Sequence, residues 1–187
     1  MSCSDMIKND ILIAMLVTVL FVSFALLSFQ INSAFRSSTD VDIQKHATLI
    51  YLPHGVIVLT AWLYGWKSVA YLFPGQLITH ILYWGPENFY SSRYFDLVAG
   101  ACIGYVGVLV AVYVLENKKA VFTKRPWVEI LLAGVIAALV NAAIKSLAYS
   151  VTVPELFEIL SGDLIGLLLL MFGLLLIFKV ERRLRSN

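Results

Sequence analysis

The run ILIAMLVTVLFVSFALLSFQI, Ile11–Ile31, contains no charged side chain. At 1.5 Å per residue a helix of this length crosses the ~30 Å hydrocarbon core of a bilayer. Five further stretches share its length and character: Ala47–Trp66, Ser68–Trp84, Phe95–Leu115, Trp127–Tyr149 and Leu160–Phe178. No other feature of the chain narrows the fold as much. Backbone that enters hydrocarbon must pair its polar groups internally, so segments of this kind become helices. The composition agrees. The chain is 60% hydrophobic and 14% charged, against ~45–50% and ~25% for soluble domains. The expected fold class is therefore all-α: a polytopic integral membrane bundle of about six transmembrane helices. It forms one domain over residues 1–187, with a sensor-like region at about 47–178 preceded by an anchor helix at 11–31.

The first span is too long for the ~7–15-residue apolar core of a signal peptide, and reads as an uncleaved anchor. Cys3 and Cys102 lack metal-ligand spacing, and a disulfide between them would join different depths. The breaks between spans are polar. The second and third spans meet at a tight hinge, Gly65–Trp66–Lys67. The segment SVTVPELFEI, interrupted by Pro154, is expected to lie on the membrane surface as a short helix.

Orientation follows from lysine and arginine. Lys8, Lys67, Lys118, Lys119, Lys124, Arg125, Lys179, Arg182, Arg183 and Arg185 fall on one side of a six-span layout, and Arg36, Lys45 and Arg93 on the other. Ten against three places both termini in the cytoplasm. Trp62, Tyr64, Trp66, Tyr83, Trp84, Phe89, Tyr90, Tyr94, Phe95 and Trp127 mark the span borders, where amphipathic rings anchor at the headgroups.

In that orientation His54, His80, Asn141, Lys145 and Asp163 gather in the outer part of the membrane. An ionisable group in hydrocarbon is costly and faces the bundle interior or a wet cavity. These five are the candidate ligand-binding residues. Plainer readings stand beside this one. Lys145 and Asp163 have opposite charge on consecutive spans and would pair, or Lys145 would snorkel to the headgroups. His54 is open to a helix-interior hydrogen bond, and His80 to an interfacial site beside Tyr83 and Trp84. Ligation of a haem by His54 and His80 is a further alternative; otherwise no cofactor and no metal is expected.

Pro53 before Gly55, and Pro74 before Gly75, would interrupt spans two and three and free carbonyls near the site. Gly100 and Gly104, like Gly162 and Gly166, form GxxxG pairs that let helix backbones approach, within the chain or at a homo-oligomer seam. Phosphate loops, HExxH, nucleophile elbows and CxxC are all missing from the sequence, so no enzymatic activity is expected. The basic segment KVERRLRSN reads as an anchor at anionic headgroups and not as a nucleic-acid arm.

The stretch YLPHGVIVLTAWLYGWKSVAYLFPGQLITHIL resembles the bacterial membrane-associated sensor domain, type one (MASE-one). Pro53, Gly55, Ala61, Gly65, Pro74 and Gly75 fall in the order of its W-P-x-G-[IV]-x-L-A-x-L-L-x-G-x-R-x-x-P-G motif. RPWVEILLAGVIAALVNAAI resembles its fifth-helix region, and SGDLIGLLLLMFGLLLI its closing segment, through Gly162, Asp163, Gly166 and Leu167. The chain departs from the pattern at His54, where the family has a small residue, and at Met171 or Phe172, where it has a proline. The resemblance implies an inner-membrane sensory module that passes signals to a cytoplasmic kinase or cyclase. With no output domain after the sixth span, such a module would act through a separate membrane or cytoplasmic partner. Size and layout also suggest the substrate-capture subunits of vitamin-type importers. The expected function is binding of a small periplasmic ligand in an outward-facing intramembrane pocket, with signalling to a partner; solute capture for import and a structural or assembly role are the alternatives.

Overall fold

The computed structural model describes residues 3–38, 49–86, 91–117, 126–149 and 151–185. The expectations for Lys45, Ala47, Phe89, Tyr90, Lys118, Lys119, Lys124 and Arg125 lie outside the described residues. Among those described there are six helices and no strand: α1 (Cys3–Ser38), α2 (Pro53–Tyr64), α3 (Lys67–Trp84), α4 (Ser91–Asn117), α5 (Pro126–Ala148) and α6 (Val153–Arg185). Four of these are long and apolar enough to cross a membrane: α1, α4, α5 and α6. The 12 residues of α2 span about 18 Å, short of a bilayer core. The interior of α3 carries Gln76 and His80.

The surface is as apolar as a lipid-facing bundle requires. Leu12, Val19, Leu139 and Leu168 are exposed, whereas Ser28, Asn32, His54, Gln76 and Asp163 are buried. Lipid is as apolar as leucine, so helices here associate through close packing and internal polar bonds. Small residues supply the packing. Gly104 lies so close to α2 that a Cβ there would meet the Ile57 carbonyl at 2.8 Å. Gly107 sits against Ala133 and Ala137 of α5, and Gly166 against the carbonyl of Tyr51.

Polar contacts fix the direction of each helix. Lys67 pairs with Asp10 at 2.9 Å, and Phe29 stacks on Tyr83 with ring centroids 5.5 Å apart, so α1 and α3 run parallel. The turn at Gly65, in the left-handed region at φ 57°, reverses the chain between α2 and α3, as the hinge predicts. Lys145 meets Asp96 and Asn141 meets Asp163, setting α5 antiparallel to α4 and α6. The Tyr51–Gly162 bond and the Gly55–Leu170 contact set α2 parallel to α6. Odd helices therefore run one way and even helices the other. One end of the bundle collects Asp10, the Gly65 turn and the Trp62–Glu129 hydrogen bond. The opposite end collects Asn32, Tyr51, Tyr83, Asp96, Lys145 and Asp163.

Three local expectations are corrected. The second apolar stretch is not helical throughout: residues 49–52 precede α2 without helical structure. Asn32 and Ser28 of α1 make this possible. Asn32 Oδ1 accepts from the Leu49 and Ile50 amides at 2.8 and 3.3 Å, its Nδ2 donates to the Ile50 carbonyl at 2.9 Å, and Ser28 Oγ accepts from the Leu52 amide at 2.9 Å. Non-helical backbone in a bundle interior persists only when paired in this way. Pro53 consequently starts α2 and does not kink it, because its missing N–H costs nothing in the first turn. Pro74 does lie inside α3. Lastly, SVTVPELFEI is no separate surface helix. Glu155 caps the start of α6, its Oε2 accepting from the Thr152 amide at 2.6 Å and from its hydroxyl at 2.9 Å, and α6 runs on from there without a break.

Candidate binding cavity

A cavity of ≈ 250 Å³ lies at the end of the bundle where α3 finishes and α6 begins. It is several times larger than a single water requires. Its polar wall is built from four helices. Gln76 and His80 come from α3, Asp96 from α4, Asn141 and Lys145 from α5, and Asp163 from α6. Tyr51, Tyr83, Trp84 and Tyr149 add aromatic surface.

Each group reaches this place for a local reason. Asn141 and Lys145 are four residues apart, so one face of α5 presents both. Asp163 stands beside Gly162, whose carbonyl accepts the Tyr51 amide at 3.0 Å. That bond ties the start of α2 to α6 and sets the height of Asp163 against His54. Gly100 lets α4 approach α3 closely enough to touch the Gln76 amide, which a Cβ at position 100 would meet at 2.5 Å.

Two polar units result. The first is an ion pair: Lys145 Nζ donates to Asp96 Oδ2 at 2.6 Å. The Lys145 ammonium also lies 5.6 Å from the centre of the Tyr149 ring, within cation–π range. The expected Lys145–Asp163 pair is thus corrected: Lys145 bonds across to α4 instead. The second unit surrounds Asp163, whose side chain is 2% exposed. Asn141 Nδ2 donates to its Oδ2 at 2.8 Å. His54 Nδ1 stands 3.6 Å from the same oxygen, beyond hydrogen-bond reach. The other ring nitrogen of His54, Nε2, lies 3.1 Å from the Gly134 carbonyl. A carbonyl only accepts, so that contact assigns the proton to Nε2 and leaves Nδ1 without a hydrogen-bond partner.

Four of the five predicted residues, His80, Asn141, Lys145 and Asp163, line the cavity. His54 does not. It is wholly buried beside Asp163. Among the described residues no group of three histidine, cysteine or carboxylate side chains is arranged to hold a metal ion. Sequence reasoning missed Asp96, Gln76 and Tyr51. Asp96 was open to discovery: it is a carboxylate one residue inside the fourth apolar stretch, at the level of Lys145. Gln76 carried a weaker signal as a lone amide in the third stretch. Tyr51 carried none, because only the non-helical entry to α2 brings it inward. No family model, curated protein or solved structure matches the chain.

Proposed function

We propose that this chain is a multi-pass inner-membrane domain that binds a small solute in the polar cavity. In this reading all six helices traverse or enter the bilayer, both termini face the cytoplasm, and the cavity opens toward the periplasm. The observation that carries the reading is the convergence of an ion pair, a buried carboxylate and a carboxamide around a space large enough for a solute. Bundle stability alone does not call for such a space, because polar groups in hydrocarbon cost least when packed directly against each other. Occupancy would draw Asp96, Lys145 and Asp163 together across α4, α5 and α6. A ligand that binds one arrangement of these helices better than another shifts the population between them. The MASE-one resemblance of residues 47–178 favours a sensory use of that shift, read by a separate partner. Capture of a solute for an import machine uses the same cavity and is the competing reading.

The test is direct. Protein purified in mild detergent is denatured, and the small molecules released are identified by mass spectrometry. The reading predicts a stoichiometric solute that is lost in the Asp163→Ala variant while the variant stays folded. Absence of any solute, with no stabilisation by any compound in a metabolite panel, contradicts it and leaves a structural role. A neighbouring gene for a kinase or cyclase supports sensing, and one for an ATPase with a coupling subunit supports import.

A further inference from the structure

The charges of the cavity are unequal, and the inequality selects a ligand class. Two carboxylates, Asp96 and Asp163, face it with one ammonium, Lys145. The ammonium is already committed to Asp96 at 2.6 Å. Asp163 receives one neutral donor, the Asn141 amide. His54, the nearest group able to carry positive charge, stands 3.6 Å away without a hydrogen bond and gives its Nε2 proton to Gly134. The other titratable groups lining the site from α3 and from residues 49–52 are the His80 imidazole and the Tyr83 and Tyr51 phenols. With both aspartates counted as carboxylates and both histidines as neutral, one negative charge remains over. Tyr51, Tyr83, Trp84 and Tyr149 line the same cavity, and the Lys145 ammonium lies 5.6 Å from the centre of the Tyr149 ring. Gln76, 8% exposed, lines the same cavity with its Nε2 donor unpartnered.

Resting on the pocket reading above, we infer that the cavity takes a small organic cation. Its ammonium would sit against Asp163 and the tyrosine and tryptophan faces, and an oxygen on the same molecule would accept from Gln76. Amino alcohols and methylated ammonium alcohols have this chemistry. An ammonium held by aromatic faces and one carboxylate is a recurrent mode of cation recognition. Anions are disfavoured, because they would meet the Asp163 carboxylate while the Lys145 ammonium is held by Asp96.

The rival way to neutralise Asp163 is a proton shared with His54, which would leave the cavity without net charge. Isosteres separate the two. Binding of choline, ethanolamine, the neutral isostere 3,3-dimethylbutanol and the anion 3,3-dimethylbutyrate is measured on the full chain in detergent, by calorimetry and by thermal shift. The inference predicts that a cation of this series binds at least tenfold more tightly than the neutral isostere, and that the anion does not bind. Asp163→Asn should abolish that preference. If Asp163→Asn does not fold, Tyr83→Leu serves, with cation affinity expected to fall by about tenfold and the neutral isostere unaffected. Equal or tighter binding of the neutral or anionic isostere overturns the cation assignment and leaves the pocket reading intact. Failure of all four probes overturns it too; if a solute of other chemistry co-purifies the pocket reading survives, and if none does both fall.

Discussion

At the scale of single residues, the ionisable groups divide by what they touch. Lys145 and Asp96 are partly exposed, at 28% and 15%, and contribute chiefly through one charge-assisted hydrogen bond. A double-mutant cycle of Lys145→Met and Asp96→Asn should return a coupling of about 2 kcal/mol, read from thermal unfolding in detergent; a coupling near zero would mean the pair does not form. Asn32 acts on backbone rather than on charge. Its amide accepts from two N–H groups and donates to two carbonyls. Asn32→Ala strands several of these in an apolar interior and should lower stability by about 3 kcal/mol, while Asn32→Asp, which sets a carboxylate oxygen against the Ser28 and Ile50 carbonyls, should cost at least as much. The sequence displayed the five polar residues plainly, because a charge or imidazole in an apolar run stands out. It did not display their partners. Lys145 has carboxylates at similar height on α4 and α6, and spacing along the chain does not choose between them. Packing of α4 on α5 through Gly107 does.

At the scale of elements, long uniform runs were legible and interrupted ones were not. Apolar length fixes α4 and α5 to within four residues, because nothing in those stretches competes with helix formation; α1 runs eight residues before and seven beyond its apolar run, through polar sequence that hydropathy does not mark. The stretch around Leu49–Pro53 reads as equally apolar. Its helix nevertheless begins only at Pro53, since Ser28 and Asn32 offer the backbone another set of partners, 17 to 24 positions away in sequence. Hydropathy carries no trace of that offer. The start of α6 was misread for a related reason: Glu155 caps a helix start at Thr152 that continues into the apolar run. The glycines give a paired prediction at this scale. Gly166 lies against the Tyr51 carbonyl, and Gly173 meets nothing within 4 Å. Gly166→Ala should push α6 off the entry to α2 and sharply reduce the yield of folded protein. Gly173→Ala should be tolerated or slightly stabilising, by about 0.5–1 kcal/mol through helix propensity. Fluorescence-detected size-exclusion chromatography of both variants provides the check, and equal behaviour would contradict the packing described for α2 and α6.

At the scale of the whole molecule, the central claim is that lipid-facing leucines enclose a polar space at one end of the bundle. The alternation of helix directions keeps the basic turn at Lys67 at the end opposite Lys145 and Asp163, in accord with the excess of lysine and arginine on one side of the sequence. Composition made the membrane class legible at once. A pocket among the outer polar residues was expected, but its size and its full wall were not legible, because a void is a property of how helices splay and no residue encodes it alone. The most direct measurement is thiol accessibility in sealed membrane vesicles of known orientation, with Cys3 and Cys102 replaced by serine. Gln76→Cys and Ile78→Cys lie two residues apart on α3, one on the cavity wall and one among the exposed apolar side chains. A small, charged, membrane-impermeant thiol reagent is applied from each side in turn. The account predicts that Gln76→Cys is modified from the periplasmic side and Ile78→Cys from neither, since a thiol in lipid does not ionise. Modification of Ile78→Cys alone, or of Gln76→Cys only from the cytoplasmic side, would contradict it.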